Sequence, residues 1–224
     1  KACTGGDYYL KEVTMSDRLA VFVDYQNTYM AARHVFHNPN VDPHTHGQIW
    51  PHKLGEYLEQ DAPPGHSRAL TKVHVYRGIP DATKDPKGYG AARKQHAAWL
   101  KHGGGKVEIH GRPLRYPEGW PDYTQPGDKP GEKGVDVELA IDMAMMAVRG
   151  EYDVAVLMSL DTDLQPPLEA VSNIQGIYPR AEVAAWSVPH QHCRRLRIKG
   201  TKLYCHWIDE AAYKKMSDMV SYSA

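Results

Sequence analysis

An α/β fold, with a central, mainly parallel sheet of five or six strands flanked by helices in three layers, is predicted by three features of this 224-residue chain. Strand-like runs alternate with segments of helical spacing from residue 18 onward. Two runs, at 19–23 and 154–158, are apolar without interruption, as strands buried on both faces of a parallel sheet are. Both end abruptly in carboxylates, Asp24 in the first and Asp161 with Asp163 in the second.

The elements follow in order. After the strand at 19–23 a helix begins near Asn27, and a loop rich in His, Pro and Asn spans 37–50. A short helix at 52–60 stops before Pro63-Pro64-Gly65. Residues 70–77 alternate Val73 and Val75 with His74 and Tyr76, the period of a strand. Ala92, His96, Trp99 and Leu100 are spaced for a helix at 89–102, ended by Gly103-Gly104-Gly105, and 106–110 forms a short strand. From 111 to 134 a polar stretch holds five prolines and five glycines, a loop insertion too long for a routine connection and therefore a functional loop or lid. A helix at 135–148 closes at Arg149-Gly150. The strand at 154–158, a helix near 166–175, a strand at 182–186, a short basic helix, a strand at 202–207 and a helix from Asp209 complete the order. The expected division is an N-terminal extension at 1–17, with Met15 as a natural start, and one domain at 18–224.

Composition excludes some classes. Lysine and arginine together number 27, as do aspartate and glutamate, so overall charge does not drive nucleic-acid binding, although a local basic groove still can. No apolar run approaches the roughly 18–20 residues that cross a membrane, and residues 1–14 lack the apolar centre of a signal peptide. Cys3, Cys193 and Cys205 form no CxxC pair, which predicts reduced thiols and a cytoplasmic location.

In a parallel sheet both acidic strand ends fall at the carboxyl edge, where such folds place their sites. Carboxylates brought together repel unless a cation or shared protons compensate. The expectation is a divalent-metal site, and oxygen-only donors favour Mg²⁺ or Mn²⁺ over zinc. Asp136 lies in the first turn of the 135–148 helix and can face that edge, although the helix dipole also favours an acid there. Asp142, about 240° round the helix and roughly 9 Å further along it, does not easily share the same metal shell. Asp161 or Asp163 is also suited to cap the helix that follows.

Two basic stretches can track a phosphate backbone: 192–202, with Arg194, Arg195, Arg197, Lys199 and Lys202, and 84–106. Trp120 and Tyr123 are candidates for stacking on unpaired bases, whereas Trp99 continues an apolar stripe and belongs to the core. His44, His46 and His52, and His190, His192 and Cys193, have no familiar structural-zinc spacing. His34 and His96 are assigned to packing on helices rather than to substrate.

Three blocks in order, Phe22-Val-Asp-Tyr-Gln-Asn27, Lys133-Gly-Val-Asp-Val137 with Leu139-Ala-Ile-Asp142, and Ser159-Leu-Asp-Thr-Asp163, resemble the NYN family of PIN-like nucleases across about 18–209. The resemblance implies a PIN-like, Rossmann-like domain and a metal-dependent endoribonuclease leaving a 5′-phosphate and a 3′-hydroxyl. It implies that Asp24, Asp136, Asp161 and Asp163 hold Mg²⁺ or Mn²⁺, that Asn27 orients water or substrate, and that Lys133 lies beside the phosphate. It also points to RNA as the partner, single-stranded or structured with an exposed loop. The family's last block usually reads Ser-Gly-Asp-Ser-Asp-Phe, whereas here Leu160 and Leu164 replace the glycine and the aromatic; Leu160 is expected to narrow the site. Two rivals stand beside this reading: an RNA-binding module of the same fold that cuts poorly, and a metal-dependent phosphohydrolase of small esters. A homodimer is left open.

Overall fold

In the computed structural model, which describes residues 16–122, 128–174, 180–189 and 193–223, strand β1 (Asp17–Asp24) sends alternate side chains into two cores. Leu19, Val21 and Val23 belong to one, Ala20 and Phe22 to the other, as the two-residue period of a strand dictates. The first core is closed by α1 (Tyr25–Phe36), α2 (Pro51–Gln60), α3 (Pro86–His102) and α6 (Glu210–Met216) through Ala32, Leu54, Trp99 and Tyr213. The second is closed by α4 (Val135–Val148) and α5 (Gln165–Ser172) through Leu139, Met143, Leu168 and Val171. Helices therefore cover both faces, giving three layers.

Among the described residues the sheet has six strands, all parallel, in the order β3-β2-β1-β4-β5-β6. The remaining strands are β2 (Arg68–Ile79), β3 (Val107–Pro113), β4 (Val154–Met158), β5 (Arg180–Trp186) and β6 (Cys205–Ile208). The chain winds outward from β1 to β3, then returns to place β4 on the other side of β1. That reversal opens a crevice at the carboxyl ends of β1 and β4, the position where doubly wound sheets bind ligands.

The helix at 135–148 and the strand at 154–158 have the expected bounds. The expected basic helix after residue 192 is absent among the described residues: from Cys193 the chain is irregular, and Leu196 and Ile198 are buried while Arg197 and Lys199 are exposed. That alternation has period two, so a helix would have drawn charged side chains into the core. The last strand is confined to Cys205–Ile208, and β3 runs on to Pro113, into the expected loop. Beyond β3 the insertion is pinned at its base, where Arg115 and Gly131 exchange two backbone hydrogen bonds of 2.9 Å. Gly78, near the end of β2, permits this approach, because a Cβ there would strike Leu114 and Glu132.

Among the described residues no helix is long and apolar enough to cross a membrane. Among the described residues Cys193 and Cys205 form no disulfide with one another; Cys3 and Met15 lie outside the described residues.

Candidate metal centre

Asp24 ends β1 and caps α1, its Oδ1 accepting from Asn27 N at 3.3 Å. Its Oδ2 accepts from the Ser159 hydroxyl at 2.9 Å, and Ser159 Oγ in turn accepts from Asp161 N at 3.0 Å. Asn27 Oδ1 accepts from Leu160 N at 2.8 Å. These contacts tie the ends of β1 and β4 together across the crevice. Asp24 is 8% exposed. Burial pushes its carboxyl up from 3.8 to about 6; the hydrogen bonds from Ser159 and Asn27 oppose the rise, and the charges of Glu132 and Asp161 add to it.

Asp161 caps the single 3-10 turn Thr162–Leu164, accepting from Asp163 N at 3.0 Å. The capping role thus coexists with its place beside Asp24. Asp163 is exposed. Asp136 stands in the first turn of α4, whose N-cap is Gly134 in the left-handed region at φ 74°. Lys133, one residue earlier, is exposed.

Glu132 is a further acid that the sequence did not single out. Its Oε1 accepts from Gly78 N, which brings the end of the loop insertion onto β2. Desolvation raises its carboxyl, the Gly78 bond and the charge of Arg77 oppose that, and Asp136 adds to it. Arg77 is held over the rings of Tyr25 and Trp99 and donates to Gln95 Oε1 at 2.6 Å. Only its position directly before Lys133 could have hinted at Glu132.

The acids gathered here, Asp24, Glu132, Asp136 and Asp161, are coupled by repulsion and offer hard oxygen donors, which fits Mg²⁺ or Mn²⁺. Among the described residues, the triads whose ligand atoms all lie within 4.8 Å of one another are His37/Asp42/His46, His74/Glu108/His110 and His110/Glu138/Asp142; the expected four-aspartate set is not one of them. Asp142 is engaged elsewhere, accepting from the Tyr76 hydroxyl at 3.0 Å.

A cavity of about 540 Å³ opens beside Asn27 and Leu160 and is lined by these with Met30, Trp186 and Arg194 among others, none of them an acid. The Leu160 side chain forms part of this apolar wall, and His34, which bonds Met30 O through Nδ1 at 2.7 Å, lies there too. The three arginines diverge. Arg194 lines this cavity, whereas Arg195 and Arg197 line a second concavity with Lys202, Tyr204 and Trp207. Tyr204 and Trp207, 40% and 42% exposed, add aromatic surface that no local sequence signal marks. Trp120 packs edge-on against Tyr116, with centroids 5.8 Å apart, and Trp99 is fully buried. Tyr123, His190 and His192 lie outside the described residues.

A parallel three-layer sheet with acids at its switch point is the architecture of a PIN-like nuclease domain. The model of the NYN domain matches residues 18–178, and the chain belongs to this PIN-like ribonuclease family. A solved structure of a protein of unknown function from Vibrio parahaemolyticus RIMD 2210633 is similar at TM-score 0.44 and 18% identity, covering 78% of this chain and 83% of that one. No curated protein matches the chain.

Proposed function

We propose that the protein is a Mg²⁺- or Mn²⁺-dependent endoribonuclease that hydrolyses RNA phosphodiester bonds. The observation that carries the reading is Asp24, buried at the switch point with its carboxyl raised by burial and by the neighbouring charges of Glu132 and Asp161. A site of this kind gains most from a divalent cation. When bound, the cation supplies water activation and neutralises charge developing on the phosphodiester. Asp24 and Asp161 are the first candidates to hold it, with Asp136, Asp163 and Glu132 around them. Ser159 fixes one Asp24 oxygen through its hydroxyl. Asn27, its Oδ1 committed to Leu160 N, presents its amide NH₂ to water or a phosphate oxygen. Lys133, three residues before Asp136, and Arg194, in the lining of the cavity beside Asn27, are the cations we assign to the phosphate. The apolar cavity beside Asn27 has room for a nucleobase flanking the scissile bond, and Arg195, Arg197 and Lys202 with Tyr204 and Trp207 suit a further stretch of single strand.

The test is cleavage of labelled single-stranded RNA, structured RNA and single-stranded DNA with Mn²⁺, Mg²⁺ or EDTA, with Asp161→Asn alongside. Metal-dependent cutting that the variant loses while still binding RNA is the expected result. The spread of the aspartates and the Leu160 replacement favour one second reading, an RNA-binding module that cuts poorly. Retention of RNA without cleavage by the unaltered protein selects it. Hydrolysis of a small phosphate ester that is indifferent to Arg194→Ala and to salt selects a phosphohydrolase instead.

A further inference from the structure

We propose that His74, His110 and Glu108 form a second metal site, one for a zinc-class transition metal and separate from the oxygen-donor centre. His74 lies on β2, and Glu108 and His110 lie on β3, with His74 opposite Glu108 and Tyr76 opposite His110. Residues two apart on a strand, and partners across parallel strands, share a face. All four side chains therefore stand on the side of the sheet that α4 covers. Asp24, Tyr76 and His110 are in register on β1, β2 and β3, so about two inter-strand spacings, ~10 Å, separate this set from Asp24.

The two imidazoles are held by stacking. His74 is buried against Phe22 at 5.1 Å, and His110 lies nearly parallel to Tyr76 at 4.3 Å. Their nitrogens face each other, His74 Nδ1 to His110 Nε2 at 3.1 Å. Glu108 carboxylate oxygens lie 4.0 Å from the first and 3.9 Å from the second. Two nitrogens on one tetrahedral zinc, each at about 2.0–2.1 Å, stand roughly 3.3 Å apart. The imidazole pair already has that separation to within a few tenths of an ångström, and the half-exposed Glu108 side chain can close the rest.

His110 also has the support that metal-bound histidines use. Its Nδ1 faces Asp142 Oδ2 at 3.6 Å, and the same oxygen accepts from the Tyr76 hydroxyl. The alternative triad of His110, Glu138 and Asp142 is disfavoured, because Glu138 pairs with Arg112 at 3.3 Å and Asp142 is held by Tyr76. Two imidazoles and one carboxylate select zinc-class ions over Mg²⁺ and leave a coordination position open. Bound there, the ion clamps edge strand β3 to β2.

Co²⁺, a spectroscopic stand-in for Zn²⁺, tests the site in the full chain with excess Mg²⁺ present to occupy the oxygen-donor centre. The expected result is one equivalent of Co²⁺ with a visible low-coordinate spectrum, displaced by Zn²⁺ and retained in Asp161→Asn. His110→Ala abolishes it, and Glu108→Gln, a surface change that leaves the core intact, weakens binding at least about tenfold. A plain hydrogen bond between neutral imidazoles predicts otherwise. No spectrum from the unaltered protein, or one unchanged in both Glu108→Gln and His110→Ala, overturns the proposal.

Discussion

Asp24→Asn should make the metal-free protein more stable while abolishing its metal response. Burial, with Glu132 and Asp161 nearby, raises the Asp24 carboxyl from 3.8 to about 6. That rise of about two units, at 1.36 kcal/mol each, amounts to about 3 kcal/mol of strain in the ionised folded state. The sign follows from the raised value. Asp24 contributes stability that is fully present below about 3.8, and that contribution is lost as pH rises through about 6. Asparagine keeps the shape and the acceptor for Asn27 N, but offers an NH₂ where the Ser159 hydroxyl now donates. Losing that bond costs about 1 kcal/mol, so a net gain of about 2 kcal/mol is expected at pH 8 in EDTA. For a chain of this size the gain reads as a Tm higher by about 4–8 °C. Thermal denaturation at pH 5 and pH 8, with EDTA and with Mn²⁺, is the assay. The advantage should shrink at pH 5, and Mn²⁺ should raise the Tm of the unaltered protein only. A variant less stable than the parent at pH 8 in EDTA, or equally stabilised by Mn²⁺, refutes the reasoning.

Mn²⁺ affinity measured by calorimetry should be level above about pH 7 and weaken towards tenfold per unit below about 6, because binding must then displace the Asp24 proton. Glu182→Gln should destabilise by about 3 kcal/mol in urea unfolding, since it strips the charge that Arg68 and His206 share at 2.9 Å in a buried network. Desolvation alone would raise the Glu182 carboxyl, but the His206 bond and the Arg68 charge outweigh it and hold it below 4.5. Its contribution is therefore present above about 4.5 and lost as pH falls through the lower folded value, so the Glu182→Gln penalty should fade in acid. Trp207→Ala should cost about 1–3 kcal/mol in single-stranded RNA binding, read by fluorescence anisotropy, with the fold retained because Trp207 is 42% exposed and belongs to neither core cluster.

Much of the architecture was legible in local pattern. Uninterrupted apolar runs at 19–23 and 154–158 identified strands covered on both faces, and the acids that end them marked the edge where the crevice opens. The helix over Val135–Val148 was readable from its punctuation, with Gly134 before it and Arg149-Gly150 after. After Cys193 the density of arginines suggests a helix, but the alternating burial of Leu196 and Ile198 belongs to an extended path. Charge density says nothing about period, and the period sets the conformation.

The α/β class, the element order as far as β5 and the two strand ends carrying Asp24, Asp161 and Asp163 follow from local pattern, because each is encoded by neighbours within a few residues. Which distant groups meet is set by packing and not by any local pattern. Glu132 reaches the Asp24 site because Gly78 lets the loop insertion close on β2. Asp142 turns to Tyr76, and His74 meets His110, because the register of β2 on β3 puts those rings on one face. Arg194 parts from Arg195 and Arg197 through the path of an irregular segment. Strand register and loop closure are set by packing across the whole domain, and no local periodicity records them.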